Sequence, residues 1–111
     1  EKNKKKAYFI KKVIRLLGLK NANVIDQATT PTTKTNKTYD LITARALAKT
    51  QKVIKISEHL LKPNGRFLLM KGVEEKITEE LVPLDNNKYS YIIHKKKLKN
   101  LNRHILEIYR K

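Results

Sequence analysis

Residues 39–72 read YDLITARALAKTQKVIKISEHLLKPNGRFLLMKG, and this stretch decides the fold class. Tyr39–Ala44 and Arg66–Lys71 are short apolar runs, a pattern typical of strands that are buried on both faces. Between them, apolar residues recur at helical spacing from Ala48 to Lys62, and Pro63-Asn64-Gly65 is expected to end that helix in a turn. Two strands joined by a helix predict a βαβ unit with a parallel sheet and a right-handed crossover.

The ends of these two strands are the expected ligand site. In open sheets of this kind, ligands bind outside the carboxyl ends of the strands. Those ends are Ala44-Arg45-Ala46 and Met70-Lys71-Gly72, and each carries a cation. The sequence therefore predicts that Arg45 and Lys71 lie at a binding edge of the sheet.

Periodicity and turn residues also predict the elements outside this unit. In chain order they are a helix at Lys4–Leu17 that ends at Gly18, a short strand at Asn23–Asp26, a mobile polar loop at Gln27–Thr38, a helix at Val73–Leu81, a turn at Pro83–Asn87, and an antiparallel pair formed by Lys88–His94 and Arg103–Tyr109. The expected fold class is α/β, with a mostly parallel sheet and a carboxyl-terminal antiparallel pair.

The charge balance points to a polyanionic partner. The chain has 111 residues, with 26 Lys and Arg against 10 Asp and Glu, which gives a formal net charge of +16. Nucleic acid is the leading candidate for such a basic domain. The alternative is that lysines merely occupy solvated faces, where they substitute freely. At this length the chain is one domain or part of one.

Several kinds of chemistry lack support in the sequence. There is no cysteine, which excludes disulfides, thiolate metal sites and a cysteine nucleophile. His59, His94 and His104 lie on different predicted elements without metal-ligand spacing, so each is expected to be a surface or edge-strand histidine and no metal site is expected. No phosphate-binding glycine loop or nucleophile elbow occurs. No apolar run reaches the roughly 20 residues of a membrane span, so no membrane partner is expected.

Four segments together resemble one known family. They are KKKAYFIKKVIRLLGL (4–19), YDLITARALA (39–48), LLKPNGRFLLMKG (60–72) and NRHILEIYRK (102–111). In order and spacing they resemble the small-subunit ribosomal RNA methyltransferase G family, also called the glucose-inhibited division protein B family. The most specific parts are Thr43-Ala44-Arg45-Ala46, where the family has an Arg-Ala pair, and Leu69-Met70-Lys71-Gly72, where it has Leu-Lys-Gly.

The resemblance implies a Rossmann-like fold and methylation of guanine N7 in 16S-type ribosomal RNA with S-adenosylmethionine as the methyl donor. It places Glu1 at the position that holds the cofactor ribose, Gln27, Ala28 and Thr29 on the loop that brackets adenine, and Arg45 beside the cofactor. Arg45, Lys71 and Arg103 fall on RNA-facing basic positions. No catalytic base is expected, because guanine N7 carries no proton. A monomer is expected, in the cytoplasm or in an organelle with bacterial-type ribosomes.

The chain also departs from the family. Gln27-Ala28-Thr29 stands where the family usually has Arg-Ala-Glu, so a carboxylate is missing from the adenine loop. The family's amino-terminal helical segment and glycine-rich cofactor loop would precede Glu1, so residues 1–111 are expected to be a partial methyltransferase domain, truncated at its amino terminus. An active chain and a chain that is inactive alone are both compatible with this truncation. The alternatives are a non-catalytic, basic RNA-binding module or a ribosome-assembly factor with the same fold.

Overall fold

The computed structural model describes residues 1–99 and 101–111. Their helices and strands are α1 (Lys4–Leu17), β1 (Tyr39–Arg45), α2 (Thr50–Ser57), a short 3-10 helix (Glu58–Leu60), β2 (Leu61–Lys71), α3 (Glu74–Leu81), β3 (Tyr89–Leu98) and β4 (Leu101–Arg110). The chain divides into two compact units, Glu1–Thr30 and Pro31–Lys111, which are described separately. None of the described helices is long and apolar enough to cross a membrane.

In the first unit, the predicted helix α1 is confirmed together with both of its ends. The side chain of Asn3 accepts a hydrogen bond from the backbone nitrogen of Lys6 at 3.1 Å and caps the amino terminus. Gly18 adopts φ 62°, and its N–H donates to the carbonyl of Arg15 at 3.2 Å. The helix therefore ends at a glycine because the left-handed backbone there suits a residue without Cβ.

The strand that the sequence predicts at 23–26 is wrong, because these residues form neither a strand nor a helix. A strand needs a ladder of partners, and the contacts of this segment are mainly from side chains instead. Lys4 donates to the carbonyl oxygen of Asp26 at 3.0 Å, and the Asp26 carboxylate lies 3.4 Å from Lys4 Nζ and 3.5 Å from Lys11 Nζ. Residues 27–38 are irregular, as predicted.

The second unit contains a four-stranded sheet in the order β1-β2-β4-β3. β1 and β2 are parallel and joined through α2, while β4 is antiparallel to both β2 and β3. The α/β class, the βαβ unit, helix α3 and the carboxyl-terminal antiparallel pair are therefore confirmed. The sheet is mixed rather than mostly parallel, because residues 23–26 add no strand and β4 lies between β2 and β3.

The core of the second unit lies between the helices α2 and α3 and one face of this sheet. Its buried residues are Val53, Ile54, Leu61, Phe67, Leu69, Ile77, Leu81, Leu84, Tyr89, Leu106 and Ile108. Side chains alternate along a strand, so Phe67, Leu69 and Lys71 share a face, opposite Ile108, Leu106 and His104 on β4. The core face therefore leads directly to the charged residues at the strand ends.

β2 begins earlier than the sequence predicts. Helix α2 ends at Ser57 rather than at Lys62, and Pro63-Asn64-Gly65 lies inside β2, where the register with β1 shifts between Leu61 and Arg66. The guanidinium of Arg110 donates to the carbonyl oxygens of Glu58, Leu61 and Lys62 at 2.7, 3.1 and 2.8 Å. These three hydrogen bonds hold the segment that leads from the 3-10 helix into β2, which starts before the proline.

Gly65 has a steric role, and we predict that Gly65→Ala destabilises the protein by about 1–3 kcal/mol. A Cβ there would lie 2.6 Å from Leu61 Cδ1 and 2.9 Å from the backbone oxygen of Asp40, so one strand would have to shift. Urea unfolding measures the change. Gly72→Ala is the matched control, because a Cβ at Gly72 meets nothing within 4 Å. Equal effects at the two glycines would contradict the prediction.

The β3–β4 hairpin is longer than predicted. Its pairs run from Tyr89 opposite Arg110 to Leu98 opposite Leu101, so residues expected to connect the strands belong to their ends. Lys99, in the turn, has φ 53°. Because Lys71 of β2 pairs with His104 of β4, residues 101–103 extend past the last pair that β2 makes with β4.

Candidate functional site

A cleft of about 700 Å³ lies where β1 and β2 end, and we call it the strand-end cleft. It is lined by Arg45, Ala46, Leu47, Ala48, Met70, Lys71, Gly72, Glu80, Arg103, His104 and Ile105. The two parallel strands deliver Arg45 and Lys71 to the same edge, and β4 adds Arg103. The three basic residues that the sequence predicts to face RNA are therefore brought together.

The cleft wall contains a locally strained residue. Ala46 follows Arg45 directly and has φ 51°, in the left-handed region. A residue with a Cβ costs roughly 1–2 kcal/mol in that conformation, and such strain clusters at functional sites. The Arg-Ala pair thus ends β1 and starts the segment 46–48 that lines the cleft.

The charge of Lys71 is already balanced inside the cleft. Its Nζ lies 2.8 Å from Glu80 Oε2 and 3.4 Å from the carbonyl oxygen of Ala48. The same Glu80 oxygen accepts from the hydroxyl of Thr50 at 2.7 Å and from its backbone nitrogen at 3.2 Å. Glu80 of α3 therefore ties the end of β2 to the start of α2, and it holds the Thr50 end of the loop between Arg45 and Thr50.

These contacts keep Glu80 ionised. Burial alone would raise the pKa of this carboxyl group, but the hydrogen bonds from Lys71 and Thr50 and the positive charge of Lys71 outweigh it. The net result is a pKa below the usual value. The Lys71–Glu80 pair is consequently close to neutral overall at pH 7.

The free positive charge of the cleft comes from two arginines. Arg45 and Arg103 are both exposed. Arg103 donates only to the neighbouring carbonyl of Asn102, at 3.1 Å, and within residues 1–99 and 101–111 the Arg45 side chain makes no hydrogen bond or ion pair. Both guanidinium groups are therefore available to an anionic ligand.

His104 corrects the expectation that each histidine lies on a surface or edge strand. It is 3% exposed, because β4 is an inner strand and its alternate residues face the core. Its Nδ1–H donates to the carbonyl of Gly72 at 2.6 Å, whereas Nε2 is buried without a hydrogen-bond partner in the described part of the chain. The nearest carboxylate oxygen, on Glu74, is 4.0 Å away.

His59 and His94 agree with the expectation, since both are exposed. Their Nε2 atoms lie 2.9 Å from the Thr33 carbonyl oxygen and from Glu107 Oε1, respectively. Among the residues that the structure describes, no group of three or more acidic or histidine side chains could hold a metal ion.

The predicted cofactor residues Glu1, Gln27, Ala28 and Thr29 belong to the first unit. Glu1 Oε1 accepts from the backbone nitrogen of Asn3 at 3.0 Å, and Glu1 lines an open recess of about 400 Å³ together with Lys5, Lys6, Phe9 and Ile10. Gln27, Ala28 and Thr29 are exposed and irregular. That these residues and Arg45 form one cofactor site stays a prediction.

A model of the family described as rRNA small subunit methyltransferase G matches residues 1–109. The chain belongs to that family. The resemblance seen in the four sequence segments is confirmed, and the match includes every residue that lines the strand-end cleft.

Similar proteins support this family and its fold. The ribosomal RNA small subunit methyltransferase G of Stenotrophomonas maltophilia (strain K279a) is 40% identical over 81 residues, which are 71% of this chain and 38% of that protein. An rRNA methylase from Streptococcus thermophilus superposes with a TM-score of 0.70 at 13% identity, over 99% of this chain and 70% of that one. A candidate methyltransferase from Streptococcus mutans, in complex with SAH, superposes with a TM-score of 0.67 at 12% identity, over 100% of this chain and 73% of that one. The structural matches show the Rossmann-like methyltransferase fold.

Sequence reasoning missed two residues that line the cleft, Glu80 and His104, and also Thr50, which contacts Glu80, in this methyltransferase G family member. Glu80 is one of four glutamates on α3, and nothing in its spacing separates it from Glu79. Thr50 is a single hydroxyl at a helix start. Only His104 had a local signal, because it alternates with the apolar Leu106 and Ile108 on the buried face of β4.

Proposed function

We propose that this protein methylates N7 of a guanine in small-subunit ribosomal RNA and takes the methyl group from S-adenosylmethionine. The proposal rests on family membership over residues 1–109, which includes the strand-end cleft with its two exposed arginines. The chain spans 38% of the length of the Stenotrophomonas relative, so activity, substrate and partner are inferred for the whole protein.

The side chains of the cleft suit a reaction that needs no protein base. Guanine N7 has a lone pair and no proton, so nothing must be deprotonated. The carboxylate among the lining residues, Glu80, is held by Lys71 and Thr50, and the free nitrogen of His104 is shielded from solvent. When bound, S-adenosylmethionine supplies an electrophilic methyl group on a positively charged sulfur.

In this proposal the cleft residues orient the RNA. Arg45 and Arg103 bind phosphate oxygens or guanine O6, since an arginine that bound N7 would block the reacting atom. Leu47, Met70 and Ile105, which are 61%, 47% and 41% exposed, offer an apolar surface to the base. Lys71 contacts Glu80 and the Ala48 carbonyl oxygen. Its main role in this proposal is therefore to position the cleft wall, not to contact RNA.

The first unit carries four of the proposed cofactor residues, and its side chains fit part of S-adenosylmethionine. Within the described residues one oxygen of Glu1, Oε2, accepts no hydrogen bond, so it is free to accept from a ribose hydroxyl. Gln27, Ala28 and Thr29 would flank the adenine, with the Thr29 hydroxyl in place of the carboxylate usual in the family. Arg45 is also a proposed cofactor contact.

The substitution at Thr29 favours a second candidate function. Without a carboxylate to accept from the adenine amine, cofactor binding is weaker, which would suit a basic RNA-binding module or a ribosome-assembly factor with this fold. In either case we infer a monomer that acts on ribosomal RNA in the bacterial cytoplasm or in an organelle with bacterial-type ribosomes, without a membrane partner.

Calorimetry and methylation assays separate the two functions. The complete product of the reading frame is titrated with S-adenosylmethionine and with S-adenosylhomocysteine, and is then incubated with small-subunit ribosomal RNA and radiolabelled methyl donor. We expect saturable binding and label at a guanine N7, detected by chemical cleavage of the RNA at 7-methylguanine. A folded protein that binds RNA but neither cofactor form would support the non-catalytic candidate, and label at another atom would contradict the N7 assignment.

A further inference from the structure

The far end of the β3–β4 hairpin projects beside the strand-end cleft. β2 makes its last pair with β4 at Lys71 and His104, whereas β3 and β4 continue to pair as far as Leu98 and Leu101. This extension leaves the sheet at the carboxyl end of β2, which is the edge that holds the cleft. Arg103 belongs to both features, because it lies on the extension and lines the cleft.

The extension is strongly and uniformly positive. Counted from Lys95, which lies opposite His104, its cations are Lys95, Lys96, Lys97, Lys99 and Arg103, and the sequence from 95 to 103 contains no Asp or Glu. All five side chains are exposed, and in the described chain none of them takes part in an ion pair. We call these five residues and their backbone the basic ribbon.

One cross-strand pair of the basic ribbon brings two like charges together. Lys96 lies directly opposite Arg103 in the antiparallel ladder. Like charges at facing positions destabilise a pair of strands, and no described carboxylate lies close enough to either side chain to form an ion pair. A polyanion that bound the ribbon would offset this repulsion.

We propose that the basic ribbon binds the phosphate backbone of RNA and so extends the contact surface beyond the strand-end cleft. This inference rests on the proposed function and adds a second contact surface to it. Side chains cannot read base edges in the deep, narrow major groove of A-form RNA, so the ribbon contributes affinity and orientation rather than sequence recognition.

The distribution of the charges favours RNA over an anionic membrane. Lys95 and Lys97 point to one face of β3 and Lys96 to the other, because side chains alternate along a strand. A flat membrane would touch one face of the ribbon, whereas an RNA groove or fold presents phosphates on both sides. The adjoining cleft places RNA at the same edge in the proposed function.

The test compares two variants that lose the same charge. The ribbon variant carries Lys95→Gln, Lys96→Gln and Lys97→Gln, and the control carries Lys52→Gln, Lys55→Gln and Lys76→Gln, which are exposed lysines of α2 and α3. For each variant and for the wild type, the affinity of the complete reading-frame product for transcribed small-subunit ribosomal RNA is measured over a range of salt concentrations. Thermal unfolding verifies that each variant is folded.

We expect the ribbon variant alone to lose a large part of the salt dependence. Each phosphate contact adds about 0.7–0.9 to the slope of log K against log salt, so three lost contacts lower it by roughly 2–3, and affinity at 0.1 M salt falls by roughly 10²-fold. Loss of the facing charge at Lys96 should leave the unfolding midpoint equal or higher.

Several outcomes overturn the inference. Equal losses of RNA affinity in the ribbon and control variants would show a general charge effect. If the protein is an active methyltransferase and the ribbon variant keeps the wild-type salt slope, the RNA contact of the ribbon is refuted while the proposed function stays intact. Wild-type protein that binds no RNA would refute both. Ribbon-dependent binding to phosphatidylserine vesicles without ribbon-dependent RNA binding would assign the surface to a membrane instead.

Discussion

Arg45→Ala is expected to lower the rate of methyl transfer to ribosomal RNA by about 10²–10³-fold, the size of effect seen when one preorganised, charge-stabilising contact is removed from an active site. Arg45 is exposed at the end of β1, and in the described chain its guanidinium has no partner. The substitution removes nothing from the core, so unfolding free energy should change by no more than about 0.5 kcal/mol. Single-turnover methylation with saturating cofactor measures the rate.

Two further variants show what Arg45 contributes. Arg15→Ala removes the same charge from an exposed position on α1 that does not line the strand-end cleft, and it should leave the rate within about threefold, since exposed charges are screened by salt. Arg45→Lys keeps the charge but loses the planar fork, so an intermediate rate would indicate two-point recognition of an anion. If Arg45→Ala behaved like Arg15→Ala, the proposed role of Arg45 would be wrong.

The sequence predicted those parts of the site that follow from local pattern. Continuous apolar runs and one helical period are enough to locate β1, α2 and the carboxyl-terminal part of β2, and the ends of parallel strands then place Arg45 and Lys71 at one edge. The prediction of Arg103 as an RNA-facing residue came from the family resemblance. The cations of the strand-end cleft were therefore predicted before any contact was known.

The parts that the sequence missed depend on contacts between distant residues. β2 starts at Leu61, where Arg110, 49 residues further along the chain, binds the carbonyl oxygens that precede the proline. Residues 23–26 have a strand-like composition, but composition cannot supply a partner strand. His104 was misjudged because only the strand order shows that β4 is internal.

Glu80→Ala is expected to cost about 2–3 kcal/mol of unfolding free energy and to impair activity. The side chains of Lys71 and Glu80 are 15% and 20% exposed, and removal of one partner from a fully buried ion pair costs about 3–5 kcal/mol, which residual solvent reduces here. The substitution also removes the acceptor for both Thr50 donors. Urea unfolding measures the loss, and Glu79→Ala, on an exposed neighbouring position, is the control.

The pH dependence distinguishes loss of charge from loss of packing at Glu80. Because the folded-state pKa of Glu80 lies below its unfolded value, ionised Glu80 contributes stability that is fully present above about pH 4.5 and is lost as pH falls through the folded-state pKa. The difference in unfolding free energy between wild type and Glu80→Gln should therefore be largest at pH 7. It should shrink in acid, because protonated Glu80 is then neutral, as glutamine is at every pH. Glu58, Glu107 and Asp26 also have lowered pKa values, but they titrate in both proteins and cancel from this difference. A difference that stayed constant from pH 7 to pH 3 would show that Glu80 acts by packing alone and that the charge of Lys71 needs no partner in the cleft.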